Sequence, residues 1–266
     1  MIRDITLGQY YPAPSPLHRL DPRVKLTGTI CFILSLFLFD SFIGYIAATV
    51  FLSAMIIMSK VPFSFMVKGL KAVVLLMVFT SVLNIFLTPG EVLWQWSFLT
   101  ITRQGLRTAA FMIIRLLYLI IGSSILTLTT TPSNLTDGME KGLGWLKAFK
   151  LPVHEVAMMM SIALAFIPIL LEETDKIMKA QLSRGADFES GNIIRRVKSL
   201  VPILVPLFVS AFKRANDLSM AMEARCYRGG EGRTKMKPLK YKRNDYIAYL
   251  ILVLYMACII ALGILF

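Results

Sequence analysis

A chain of 266 residues that is 56% hydrophobic and 17% charged, with a mean hydropathy of +0.66, is too apolar for a water-soluble domain of this length. Its formal charge of +13 could by itself suggest nucleic acid, but on so apolar a chain an excess of Lys and Arg marks cytoplasmic loops and an anionic lipid surface, so no nucleic-acid partner is expected. Cys31, Cys226 and Cys258 show no ligand-like spacing, which argues against a disulfide framework or a zinc site.

In chain order, the opening "MIRDITLGQYYPAPSPLHRLDPRVKL" is Pro-rich and polar, without the apolar core of a cleaved signal peptide. His18, Arg19, Asp21 and Arg23 are expected to lock this segment against the cytoplasmic ends of the first helices. Candidate membrane spans follow at Leu26–Phe39, Phe42–Met58, Leu70–Leu87, Leu106–Thr130 and Asp245–Phe266. The first two are short for a bilayer core that needs about 20 helical residues, so tilted or interfacial ends are expected. Asp40-Ser41 reads as a tight hairpin between them, and Trp94 and Trp96, with Pro89-Gly90, as an interfacial turn after the third span. Arg115 lies deep in the fourth apolar run, where a charge faces protein or snorkels outward; Asn84 poses the same choice.

Two further apolar runs, Val156–Leu171 and Leu200–Phe212, are interrupted by Pro168, Pro202 and Pro206. If both spanned the bilayer, the segment between them would carry Lys176, Lys179, Arg184, Arg195, Arg196 and Lys198 to the outside, against the positive-inside tendency. Packing both at the cytoplasmic interface resolves the conflict. The N-terminus is then inside and the C-terminus outside, and of the 29 Lys and Arg only Lys71, at the inner end of its span, with Arg103, Arg107 and Arg115 fall in the outer loop or within a span. The fold expected is all-α: a polytopic membrane protein with about five transmembrane helices and a cytoplasmic insertion of long amphipathic helices. Residues 1–130 hold the N-terminal segment and four spans, 131–244 the insertion, and 245–266 the last span.

The insertion carries two related signatures. "LLEETDKIMKAQLSRG" alternates apolar and charged positions at helical spacing, with Glu172–Lys176 and Asp175–Lys179 four residues apart. "VPLFVSAFKRANDLSMAMEARCYRGG" does the same through Phe208, Phe212, Ala215, Leu218 and Met222. Each ends in an arginine between small neighbours: Ser183, Arg184 and Gly185 in one, Ala224, Arg225 and Cys226 in the other. Glycine takes the left-handed conformation that ends a helix, so Gly185 and Gly229-Gly230 are expected to close the two helices. One reading makes each arginine a complement to a negative helix end, contributing about 0.3–1 kcal/mol. The other makes the pair docking plugs, whose small neighbours admit a groove while the guanidinium forks onto carboxylates or carbonyls.

"SRGADF", "EARCYRGG" and the opening "GQYYPAPSPLHRLDPRVKL" together resemble the transmembrane T component (EcfT) of energy-coupling factor transporters, a family related to cobalt-transport permease components. Ser183 stands where alanine is common in that family, and Cys226 in the glycine place. The resemblance implies a non-catalytic coupling subunit of an ABC-type importer in the plasma membrane. It implies two cytoplasmic ATPases, identical or different, docked on Arg184 and Arg225, and one or several membrane-embedded substrate-binding S components. Vitamins are the substrate class implied, with transition-metal ions as the alternative. No cofactor is expected on this chain; ATP and Mg would be used by the partners, in keeping with the lack of a Gly-x-x-x-x-Gly-Lys-Ser/Thr loop.

Met158, Met159 and Met160 open one insertion helix; such a stripe is core filler or an adaptable surface, here expected to meet the S component. His18 and His154, the two histidines, lie far apart with no carboxylate or cysteine cluster, so neither metal binding nor catalysis is expected of them. A self-contained channel or secondary carrier is the alternative function, weakened by the scarcity of ionisable residues in the spans. A membrane enzyme would need a constellation that this sequence lacks.

Overall fold

The structure, a computed structural model, describes residues 10–39, 41–68, 70–96, 99–142, 144, 152–186, 188, 193–229, 236 and 238–265. It divides into two compact units, Gly8–Gly142 with Leu239–Phe266, and Met1–Leu7 with Leu143–Pro238. The first unit is a helical bundle. A 3-10 turn at Leu17–Arg19 leads into α1 (Pro22–Ser35), followed by α2 (Phe42–Ser59), α3 (Phe63–Lys68), α4 (Leu70–Leu87), α5 (Arg103–Thr129), α6 (Pro132–Gly142) and α9 (Arg243–Leu265). A two-stranded antiparallel hairpin, β1 (Val92–Trp96) and β2 (Leu99–Thr102), joins α4 to α5 where the sequence reading has a turn. The second unit contains α7 (Val153–Ser183) and α8 (Ile193–Ala224).

The protein is an all-α, multi-pass membrane protein apart from that small hairpin. Among the described residues four helices are long and apolar enough to span: Phe42–Ser59, Arg103–Thr129, Val153–Ser183 and Arg243–Ile264. The interfacial reading of Val156–Leu171 therefore has a competitor. The run lies in one unbroken 31-residue helix, about 46 Å long, whose apolar part has the length and composition of a span. Conversely α1 has 14 residues, about 21 Å, and falls short of a full crossing. Helix α6, counted by sequence with the segment 131–244, packs on α1, where a Cβ on Gly138 would come within 2.9 Å of the Pro22 ring.

The bundle core is aromatic. Phe51 stacks on Tyr255 with centroids 4.1 Å apart and on Phe32 at 5.9 Å, and the Tyr255 hydroxyl shares a 2.8 Å hydrogen bond with Ser35. Gly122 on α5 makes this possible, because a Cβ there would sit 2.7 Å from the Phe32 ring. Ile57 and Leu75 are 76% and 81% exposed, a surface that water would penalise and lipid does not. Arg115, buried by sequence logic, reaches the α1–α2 turn: its Nη2 donates to the Phe39 carbonyl at 3.2 Å and its guanidinium lies 5.4 Å from the Phe37 ring. Asp40 lies outside the described residues, while Ser41 caps α2 by accepting from the Gly44 amide. Asn84 donates to the Thr80 carbonyl of its own helix and to Met112 Sδ on α5.

The polar end of the bundle is a closed network. Asp245, 1% exposed, accepts the Asp21 amide on Oδ1 at 2.8 Å and the Lys242 amide on Oδ2 at 2.7 Å, tying the start of α1 to the start of α9. Asp21 caps α1 through the Arg23 amide and takes two guanidinium hydrogen bonds from Arg23, whose charge lies 3.8 Å from the Tyr241 ring. Burial pushes the Asp21 carboxyl up, but the Arg23 hydrogen bonds outweigh it and hold it below its ordinary value. Lys25 donates to the His18 and Thr129 carbonyls at 3.2 and 2.9 Å. His18 Nε2 lies 2.9 Å from the Tyr11 carbonyl, which can only accept, so Nε2 carries the proton and Nδ1 accepts from the Ser15 hydroxyl at 2.6 Å. Arg19 is exposed and takes no part in these contacts.

Burial lowers the His18 pKa from its ordinary value. Below about pH 6.5 the unfolded chain thus binds a proton that the folded chain resists. The His18 contribution is full above that pH and is lost as pH falls. Thermal unfolding in detergent should show a melting temperature that drops between pH 7.5 and 5, with a shallower slope for His18→Asn. Parallel slopes would remove His18 from the account.

Candidate functional site at the two helix tips

Helices α7 and α8 lie antiparallel. Glu173 on α7 takes a 2.8 Å ion pair from Arg214 on α8, and Gln181 on α7 reaches the Pro202 carbonyl on α8. Eight residues forward on α7 thus correspond to twelve back on α8. Pro168, Pro202 and Pro206, which interrupt the apolar runs, do not end these helices. Pro206 lacks the N–H that would bond the Pro202 carbonyl four residues back. The Gln181 amide fills that vacancy at 3.4 Å, so the neighbouring helix supplies the donor that proline removed.

The expected pairs Glu172–Lys176 and Asp175–Lys179 form no ion pair among the described residues. Such solvated pairs contribute only a few tenths of a kcal/mol, too little to hold two long side chains together. Glu173 and Arg214 are the pair that the packing selects. Sequence alone gave them no signal, because their partnership crosses 41 positions.

Both helices end in the same backbone motif. At the α7 end, Arg184 is the terminal capping residue, Gly185 is left-handed with φ +84°, and two amides close the turn: Gly185 to the Leu182 carbonyl and Ala186 to the Gln181 carbonyl, each 3.0 Å. At the α8 end, Cys226 is left-handed with φ +55°, donates to the Glu223 carbonyl at 2.8 Å, and is followed by Tyr227 donating to the Met222 carbonyl at 3.0 Å. This six-to-one plus five-to-two pair is the Schellman closure. Arg184 and Arg225 therefore occupy the same structural position.

The sequence reading placed the second closure at Gly229-Gly230. It occurs three residues earlier, at Cys226, since the two cap hydrogen bonds offset the penalty of a Cβ in the left-handed region. Gly229 is also left-handed, with φ +92°, but lies beyond the helix, and Gly230 is outside the described residues.

Ser183, Arg184 and Gly185 are exposed, as are Ala224, Arg225 and Cys226. The Ser183 hydroxyl bonds back to the Lys179 carbonyl at 3.0 Å, which leaves a compact, internally satisfied flank beside Arg184. The contacts at Glu173–Arg214 and Gln181–Pro202 put the tips at opposite ends of the helix pair, with about 40 Å of α8 between the level of Arg184 and Arg225. Met158 is half-buried near the start of α7, and Met159 and Met160 are exposed there. His18, Asp21 and Arg23 belong to the other unit, where Asp245 joins them. No group of His, Cys, Asp and Glu suited to a metal occurs among the described residues.

Cys226 holds a conformation that glycine adopts without penalty. Cys226→Gly should slow hydrogen exchange of the Cys226-position and Tyr227 amides about fivefold, the equivalent of ~1 kcal/mol in local opening. Gly185→Ala should speed exchange at the α7 end in the opposite sense. Unchanged protection in both variants would mean that the caps are not set by the left-handed residue.

The family model described as cobalt transport protein, CbiQ, matches residues 13–236, from the N-terminal run through both arginine motifs. The energy-coupling factor transporter transmembrane protein EcfT of Clostridium kluyveri is 58% identical over 252 residues, covering 94% of this chain and 93% of its own length. Its counterpart in Ruminiclostridium cellulolyticum is 53% identical over 260 residues, with 98% and 97% covered. That of Bacillus subtilis is 50% identical over 246 residues, with 92% and 93% covered. At such identity over nearly the whole length, the chain belongs to the EcfT family of energy-coupling factor transporter transmembrane proteins, within the wider cobalt transport protein family.

Proposed function

We propose that this chain is the coupling subunit of an ATP-driven importer. Arg184 and Arg225 each dock into one of two cytoplasmic ABC-type ATPases, and α7 and α8 carry their nucleotide-driven movement to a membrane-embedded S component. The observation that supports this most directly is the repetition of one exposed arginine cap at opposite ends of an antiparallel helix pair. A helix-end complement needs no such duplication. Two tips of the same backbone form, held about 40 Å apart, suit two equivalent receptors, as in an ATPase dimer. The planar guanidinium at each tip offers a forked donor to carboxylates or carbonyls, and Ser183, Gly185, Ala224 and Cys226 keep its flanks slim.

In this reading the chain is non-catalytic, ATP and Mg act in the partners, and the helix pair works as a strut. The Glu173–Arg214 ion pair and the Gln181–Pro202 hydrogen bond make α7 and α8 move together. The N-terminus lies in the cytoplasm and the C-terminus outside, with residues 131–244 as the coupling segment between transmembrane parts 1–130 and 245–266. Met158, Met159 and Met160 form an adaptable surface for one or several S components, whose own pockets select the substrate, a vitamin in the leading case.

Co-purification with the ATPases tests the docking. Arg184→Ala and Arg225→Ala should each weaken recovery of ATPase subunits, and the double variant should lose them or uncouple hydrolysis from uptake while remaining folded in the membrane. A loss of two hydrogen-bonded charge contacts corresponds to a fall of more than about a hundredfold in affinity. A double variant that binds and couples normally would reduce both arginines to helix caps. Replacing Met158, Met159 and Met160 with leucine should shift S-component preference several-fold and leave ATPase recovery intact. Equal losses of both would rule out the methionine surface as the S-component contact.

A further inference from the structure

The chain-wide excess of Lys and Arg does not say where those charges gather, but the bundle unit collects several of them at the root of α9. Lys240, Lys242 and Arg243 are exposed there. Lys141, exposed at the end of α6, joins them by donating to the Leu239 carbonyl at 3.2 Å. Next to Lys240, the Tyr241 ring lies 3.8 Å from the Arg23 guanidinium. Lys242 gives its amide to Asp245 Oδ2 at 2.7 Å and accepts the Asp245 amide at 3.0 Å. The backbone that carries the three cations is thus tied down at residues 239, 241 and 242, so their side chains start from fixed positions.

The neighbouring carboxylates are already matched. Asp21 also feels Lys141, yet it keeps both oxygens on Arg23. Asp245 is 1% exposed between main-chain amides, and together with Asp21 it acts on the buried Lys25. Arg23 and Lys25 are therefore the counter-charges of these two anions, and the four exposed cations are surplus. None of the four forms an ion pair with a carboxylate among the described residues. Counting Asp137 and Glu140 of α6 with the patch still leaves it positive.

The helix that begins here says which anion the patch meets. Tyr246, Ile247, Leu250 and Ile251 are exposed on the first turns of α9, which has the length and composition of a span, so this face meets hydrocarbon. Tyr246 and Tyr249 gather around Tyr241, with centroids 5.9 and 6.1 Å away. Tyrosine rings settle where hydrocarbon gives way to head groups, so the cluster marks that level. The anion a bilayer supplies at this depth is the phosphate of its own lipids, and each Lys or Arg there strengthens attachment to an anionic surface about fivefold.

We propose that the root of α9 is a docking site for the head groups of anionic phospholipids, with Lys240, Lys242 and Arg243 on the phosphates and Lys141 beside them. The site anchors the last span at a fixed depth in an anionic leaflet. It does not depend on the arginine tips or on ATPase docking.

The test is native mass spectrometry of the full chain released from nanodiscs with equal amounts of phosphatidylglycerol and phosphatidylcholine of identical acyl chains. The wild type should carry phosphatidylglycerol over phosphatidylcholine by about fivefold or more, and the ratio should fall as salt rises. Lys240→Gln, Lys242→Gln and Arg243→Gln together should bring the ratio to about one, at an unchanged melting temperature because all three are exposed. Lys240→Arg with Lys242→Arg and Arg243→Lys should keep it. Removing as many exposed charges from α7 and α8, by Lys176→Gln, Lys179→Gln and Lys213→Gln, should also keep it. An equal fall in that control would make the preference a property of net charge and overturn the proposal. So would equal retention of both lipids by the wild type, or a preference that survives the Gln variant at the root of α9. If that variant lost co-purifying ATPase subunits with its lipid ratio intact, the patch would be a protein contact; the arginine tips stand or fall on their own variants.

Discussion

The buried carboxylate of Asp245 is the contact on which the bundle closes. Its two oxygens take main-chain amides from residues 21 and 242, so the beginning of α1 and the beginning of α9 share one anion. A desolvated carboxylate is tolerated only when such donors replace its water. Reaching back to the Lys242 amide from the first turn of α9, Asp245 also performs half of a capping box and favours the positive end of that helix. Arg23 and Asp21 form a second layer around it, and Lys25 satisfies carbonyls at the ends of two further segments. With its polar groups closed among themselves at one end, the remainder of the bundle can be as apolar as a bilayer requires.

The long helices solve a different problem. Three prolines lie inside α7 and α8, each deleting a main-chain hydrogen bond, yet both helices continue for more than 30 residues. One freed carbonyl receives a side chain from the partner helix, which turns a local defect into a link between helices. Glu173 and Arg214 add a half-exposed ion pair, modest in energy by itself but directional. A pair linked in this way keeps its two ends in fixed relation, and those ends are where the arginines stand.

The caps connect local backbone chemistry with the proposed docking. A left-handed residue directly after each arginine ends the helix there, and both arginines are exposed. At α7 glycine performs this turn freely. At α8 a cysteine does so under strain, held by amides from Cys226 and Tyr227. Equivalent backbone hydrogen bonds, and not identical residues, make the two tips alike.

Much of this was legible from residue order, because it depends on local properties: apolar runs for the spans, amphipathic spacing for the long helices, arginine beside small residues for the tips, and the His18–Arg23 run for the polar end. The sequence determined the membrane class, the helical fold and the positions of the two tips. It misplaced the end of α8, since a left-handed glycine is a statistical preference whereas a left-handed cysteine is decided by the hydrogen bonds around it. It gave no notice of Asp245 as a hub or of Glu173 with Arg214. Each of those joins residues tens to hundreds of positions apart, and partnership at that distance is settled only when helices pack and desolvated charges must find donors.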